Sequence, residues 1–113
     1  MADAVISIAR DFSRFPSGRF RTDGPHNGQE FREAVLLPAL SKAQVICIDL
    51  DGVAGLPASF LEEAFGGLVR SGFSKSNIRS RIKIIASSPR LQRYPAQIYE
   101  YIENAREELA HAG

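Results

Sequence analysis

Apolar residues fall along this 113-residue chain in two rhythms: short continuous runs, and longer stripes spaced three and four apart. The first rhythm marks strands and the second marks helices with one buried face. Val5-Ile6-Ser7-Ile8-Ala9 is rich in β-branched residues and predicts a first strand. Pro16-Ser17-Gly18 reads as a turn, and Arg19-Phe20-Arg21-Thr22 alternates again, so an antiparallel hairpin is expected there. Asp23-Gly24-Pro25-His26 breaks the chain. Asn27, with Glu30 three residues on, then has the spacing of a capping box, and Phe31, Ala34, Val35 and Pro38 or Ala39 follow at helical intervals.

Residues Gln44 to Leu50 are nearly all apolar up to Asp49, which predicts a strand buried on both faces in the middle of a sheet. Cys47, inside that run, is expected to be a buried and inert thiol. After the Gly52 to Pro57 loop, Phe60, Leu61, Ala64, Phe65, Leu68 and Val69 form a broad helical stripe. Within it, Gly66-Gly67 suits close packing better than a phosphate cradle. Ser74 to Arg81 reads as a basic connection, Ile82 to Ala86 as a strand, and about Ala96 to Ala110 as a final helix. The predicted order is β-β-α-β-α-β-α: one α/β domain over residues 1–113, with a mostly parallel sheet, an N-terminal hairpin and helices packed on it.

Composition supports a globular domain: 44% of residues are hydrophobic and 24% are charged. One cysteine excludes a disulfide framework, and no apolar stretch reaches the ~20 residues of a membrane span. With no leader-like start, a cytoplasmic setting without membrane attachment is expected. The net charge of +1 conceals a block. Between Glu63 and Glu100 there is no acidic residue, while Arg70, Lys75, Arg79, Arg81, Lys83, Arg90 and Arg93 are all present. Such a patch could meet nucleic acid through residues 70–93, with Phe73 and Tyr94 near its ends, although no recognition motif accompanies it.

The sharpest chemical motif is Ile48-Asp49-Leu50-Asp51-Gly52-Val53, which resembles the first signature of haloacid-dehalogenase-like phosphatases. That resemblance implies Asp49 as nucleophile and Asp51 as proton donor around magnesium. The further acidic pair such a site needs is missing, because residues 64–99 carry no carboxylate. A turn at Asp51-Gly52, with Asp49 bonded to nearby backbone, is the simpler reading. His26 and His111 lack metal-ligand spacing, so no catalytic residue, metal or cofactor is expected, and the chain reads as non-enzymatic.

Residues 45–69 also resemble the STAS domain of anti-sigma factor antagonists, in which a central strand enters an Asp-Leu-Ser-Gly-Val-like loop before a helix. Here Asp49-Leu50-Asp51-Gly52-Val53 stands at that strand end, and Leu56-Pro57-Ala58-Ser59-Phe60-Leu61 leads into the helix. More closely, the chain resembles a prokaryotic STAS-like family of unknown function. The match runs through Gly18-Arg19-Phe20-Arg21 with Asp23-Gly24-Pro25, then Phe31-Arg32 with Leu37-Pro38-Ala39-Leu40, and above all Ser59 to Leu68. The resemblance implies a protein-interaction and regulatory module whose partner is a histidine-kinase-like ATPase acting as a kinase or anti-sigma factor. The implied surface comprises Asp51, Gly52, Gly55, Pro57, Ser59 and Glu62. The family's phosphorylated hydroxyl would fall at Ala58, which leaves the neighbouring Ser59 as the candidate acceptor. Ser59, with Glu62 three residues on, also reads as a helix N-cap.

Overall fold

The structure, a computed structural model, describes residues 3–106. Three short strands, β1 (Ala4–Ser7), β2 (Ile46–Asp49) and β3 (Ile82–Ile85), form a wholly parallel sheet in the order β1-β2-β3. The chain closes one helical turn, α1 (Ile8–Asp11), directly after β1. Helix α2 (28–42) leads to β2, and α3 (58–70) with α4 (Lys75–Arg81) leads to β3. Helix α5 (Tyr94–Asn104) ends the described chain. The α/β class and the parallel arrangement are as expected.

Both crossovers step the same way along the sheet, so right-handed connections place their helices on the same face. Burial agrees. Ile6, Ile46, Ile48 and Ile82 are buried, together with Phe31, Phe60, Phe65 and Ile98 from the helices. The rows facing the other way hold Val5, Cys47 and Lys83, then Ser7, Asp49 and Ile85. There Val5 is 64% exposed and Ile85 is 42% exposed. Two expectations are thereby corrected: β2 is central but only half-covered on its second face, and Cys47 is a half-buried free thiol.

The hairpin is also corrected. Residues 19–22 form no strand, because the Asp23 carboxylate accepts from the amides of Arg19 (3.1 Å) and Phe20 (2.8 Å) and folds Arg21–Asp23 into a 3-10 turn. Amides held locally are lost to a ladder. Ile8 and Ala9 likewise leave the first strand, since the Ser7 hydroxyl caps α1 through the Arg10 amide. The basic connection contains helix α4, capped by the Ser74 hydroxyl on the Asn77 amide. Asn27 caps α2 as expected, accepting from the Glu30 amide at 2.8 Å. Helix α5 stops at Asn104, and the expected stretch from 107 to 110 lies outside the described residues.

Where α2 and α3 cross, each relaxes into a π-helical turn, at Arg32–Leu36 and Glu62–Gly66. Gly28 lets the backbones touch, since a Cβ there would lie 2.5 Å from the Phe60 carbonyl oxygen. Gly67 makes room for the Arg32 guanidinium, so the glycine pair serves packing.

Candidate functional site

In a parallel sheet every strand points its C-terminal end to the same edge, and ligands of open α/β sheets gather there. In this chain three loops follow those ends: residues 12–27, 50–57 and 86–93. The acidic turn ties them together. Asp49 Oδ1 accepts from the Asp51 amide at 2.9 Å, the local turn expected from the sequence. The Asp51 carboxylate reaches across to the third loop and accepts from the amides of Ser87 (3.1 Å) and Ser88 (3.0 Å). The Ser88 and Ser87 amides hold the Asp51 carboxyl below its ordinary value. Gly52 follows with φ +98°, and a Cβ there would crowd Ala9 at 3.0 Å. The motif that resembled a phosphatase signature thus acts locally as a loop clasp. Among the described residues, no group of three or more His, Cys, Asp or Glu side chains is arranged to hold a metal ion.

The first and third loops close on the second through arginines. Arg14 Nε donates to the Gly52 carbonyl at 3.4 Å, and its own carbonyl accepts from the Ala54 amide at 2.7 Å. Arg90 donates to the carbonyls of Val53 (2.5 Å) and Ala54 (3.1 Å). Between the loops lies an open, mostly apolar cleft of about 340 Å³. It is lined by Phe15 and Pro16 from the first loop, Gly55, Leu56 and Pro57 from the second, and Tyr94 at the start of α5. Arg93 stacks over the Tyr94 ring at 5.0 Å and donates to its hydroxyl. The Arg93 guanidinium and the Leu56 amide lower the pKa of that hydroxyl.

Residues 27–92, more than half of the chain, match a family described as a STAS-like domain of unknown function (DUF4325). The chain belongs to that family. No curated protein and no solved structure matches it. The match ends just short of Tyr94, so in this STAS-like domain the cleft is completed by residues on both sides of the family region.

The expected surface residues separate into two places on the STAS-like domain. Asp51, Gly52, Gly55 and Pro57 stand at the rim, with Gly55 and Pro57 lining the cleft. Ser59 is half-buried in the first turn of α3 and is not its N-cap. Pro57 holds that position in extended geometry (φ −62°, ψ 146°), so Ala58 is already helical. Glu62 turns away from Ser59 to Arg70 (2.7 Å) and Arg19. Those two guanidinium groups lower its pKa, with Arg70 the larger influence.

The basic block is also dispersed. Arg70 joins Glu62 and Glu63 in the helix seam, and Arg79 pairs with Glu103. Lys75 donates to the Glu103 carbonyl at 2.6 Å. Arg81 caps the end of α2 through the carbonyls of Leu40 (2.6 Å) and Ala43 (2.8 Å), where a helix dipole favours a cation. Only Arg90 and Arg93 of the block stand at the rim. Arg14, Phe15 and Pro16 were missed because they lie beyond the expected surface in sequence, in a stretch read only as a hairpin connection. Tyr94 carried a signal, an aromatic residue beside two arginines.

Among the described residues, no helix is long and apolar enough to cross a membrane.

Proposed function

We propose that this STAS-like domain is a non-catalytic interaction and regulatory module whose recognition surface is the rim around the Asp51 to Pro57 loop. One observation carries this reading. Asp51, the proton donor of the phosphatase-like motif, spends its carboxylate on two backbone amides and thereby fixes a platform beside an open cleft. A carboxylate that is already accepting hydrogen bonds and sits at a lowered pKa is a poor proton donor near neutral pH. A fixed loop around an apolar cleft is, by contrast, what a docking partner requires.

The kinship with STAS domains nominates a histidine-kinase-like ATPase as partner, with Ser59 as the acceptor of a regulatory phosphate. Phosphate in the first turn of α3 would find helix amides and would place new negative charge beside Pro57 at the cleft. Affinity capture from native lysate with the wild-type chain, Asp51→Ala and Ser59→Asp tests the reading. A partner retained by wild type and lost from Asp51→Ala supports it, and Ser59→Asp is expected to release the same partner. Equal recovery with all three chains removes this surface.

A further inference from the structure

The arginines at the rim are used differently from those that pair with glutamates elsewhere in the molecule. A guanidinium carries five N–H donors in a fork that matches a carboxylate. Arg19, Arg21, Arg32, Arg70 and Arg79 each pair with a glutamate. Arg14 instead has one bond to a backbone carbonyl. Arg90 has two such bonds, and Arg93 donates to the Tyr94 hydroxyl. None of these three pairs with a carboxylate among the described residues. They flank the cleft from two of its sides, Arg14 beside Phe15 on the first loop and Arg90 and Arg93 on the third loop leading to Tyr94. The cleft itself is apolar, with Phe15 65% exposed in its lining. Its volume, about 340 Å³, is near the bottom of the ~300–1,000 Å³ range of small-molecule pockets. That size accepts one large side chain presented from outside.

We propose that the rim docks an extended acidic segment of a partner protein. One aromatic or large aliphatic side chain of the segment sits in the cleft against Phe15, Leu56 and Tyr94. Flanking Asp or Glu carboxylates meet the spare donors of Arg14, Arg90 and Arg93. This rests on the interaction-module reading above and adds the partner's chemistry to it. Charge complementarity selects the occupant, since three exposed arginines flanking an apolar centre favour acidic chains and disfavour basic ones. Arginine and aromatic residues are also the side chains that most often dominate interface energetics.

Fluorescence anisotropy on the purified full chain tests the proposal directly. The probe is a labelled dodecapeptide with Asp and Glu on both sides of a central Phe-Leu pair. Saturable binding is expected, weakening about tenfold when the acids become amides and about tenfold when Phe-Leu becomes Ser-Ser. Arg14→Glu and Arg93→Glu should each weaken binding about tenfold while the melting temperature holds. Gly55→Leu adds a side chain on the cleft lining where nothing lies within 4 Å of a built Cβ, so it should fold normally and block the probe. Equal affinity for the acidic and amide peptides, or indifference to both arginine reversals, overturns the proposal. Preference for a thymidine oligonucleotide over the acidic peptide also overturns it, in favour of nucleic acid. If the peptide fails while lysate capture still depends on Asp51, only the acidic chemistry falls. If lysate capture is also indifferent to Asp51, the interaction surface falls with it.

Discussion

The arginines of this protein occupy two kinds of place. In the seam between α2 and α3, Arg19, Arg32 and Arg70 converge on Glu62 and Glu63. Arg32 and Glu63 are 8% and 6% exposed. Arg32 Nη1 reaches both the Glu63 carboxylate (2.7 Å) and its backbone carbonyl (2.5 Å). At the C-terminal rim, Arg14, Arg90 and Arg93 hold loops by bonds to carbonyls and a phenol, and all three side chains are exposed. In these two places the same side chain is structural where a carboxylate shares its burial, and exposed to a partner where none does. A buried charge must be matched inside the fold, because leaving it unpaired costs several kcal/mol. A half-solvated charge at a rim carries no such obligation.

That contrast breaks most visibly in the seam. Arg32→Ala leaves the Glu63 carboxylate buried with weaker partners, Arg19 and Arg70 both at 3.4 Å, and should cost about 3 kcal/mol in urea unfolding. A loss below about 0.5 kcal/mol would show that the seam is no more structural than the rim. Gly28→Ala should come next, at about 1–3 kcal/mol, because the new methyl meets the Phe60 carbonyl and rigid backbone must shift. Equilibrium unfolding of this single variant measures it.

The pH dependence sharpens the same boundary. The pKa of Glu62 is lowered in the fold by Arg70 and Arg19, and that of Glu33 by Arg21. For a lowered carboxyl, the stabilisation is complete above the unfolded value, near 4.5, and is lost as pH falls through the folded value. Melting temperature should therefore decline as pH is lowered below about 5, and Glu62→Gln should flatten part of that decline. An unchanged acid profile in Glu62→Gln would remove Glu62 from the stabilising network.

At the rim the expected effects are local. Asp51→Asn weakens the acceptor for the Ser87 and Ser88 amides, so their hydrogen exchange should accelerate while the global melting temperature barely moves. Exchange unchanged at both amides would mean that the clasp is not what orders this loop. The smallest stability effect belongs to Arg14→Ala and Arg93→Ala, within about 0.5 kcal/mol each by thermal unfolding. A larger loss at either would make the rim arginines structural, like those of the seam.

Much of this division lay outside the reach of sequence, for definite reasons. The apolar runs at Ile46 to Ile48 and Ile82 to Ile85 and the stripe from Phe60 to Val69 declare their elements, because burial imposes a period that can be counted. The Asn27 cap and the Asp49 turn were legible too, since each is made between residues no more than three apart. Alternation at residues 19–22 misled, because one carboxylate, Asp23, took the amides that a strand would have used. Ser59 misled in another way. Its spacing to Glu62 suits a cap, but Pro57 holds the cap position and Glu62 pairs with Arg70 and with Arg19, which lies 43 residues away.

The candidate site was legible only on one of its three sides. The loop from Asp51 to Pro57 could be read from its motif, whereas Phe15 and Tyr94 meet it across separations of about 40 residues. Sequence alone determined the α/β class, the central strand and the two crossover helices, which follow from local periodicity, and the family, through a resemblance carried by three short stretches. Tertiary structure alone decided which arginines are paired, since Coulomb's law depends on separation in space and the fold brings Arg32 to Glu63 while leaving Arg90 and Arg93 at an open edge.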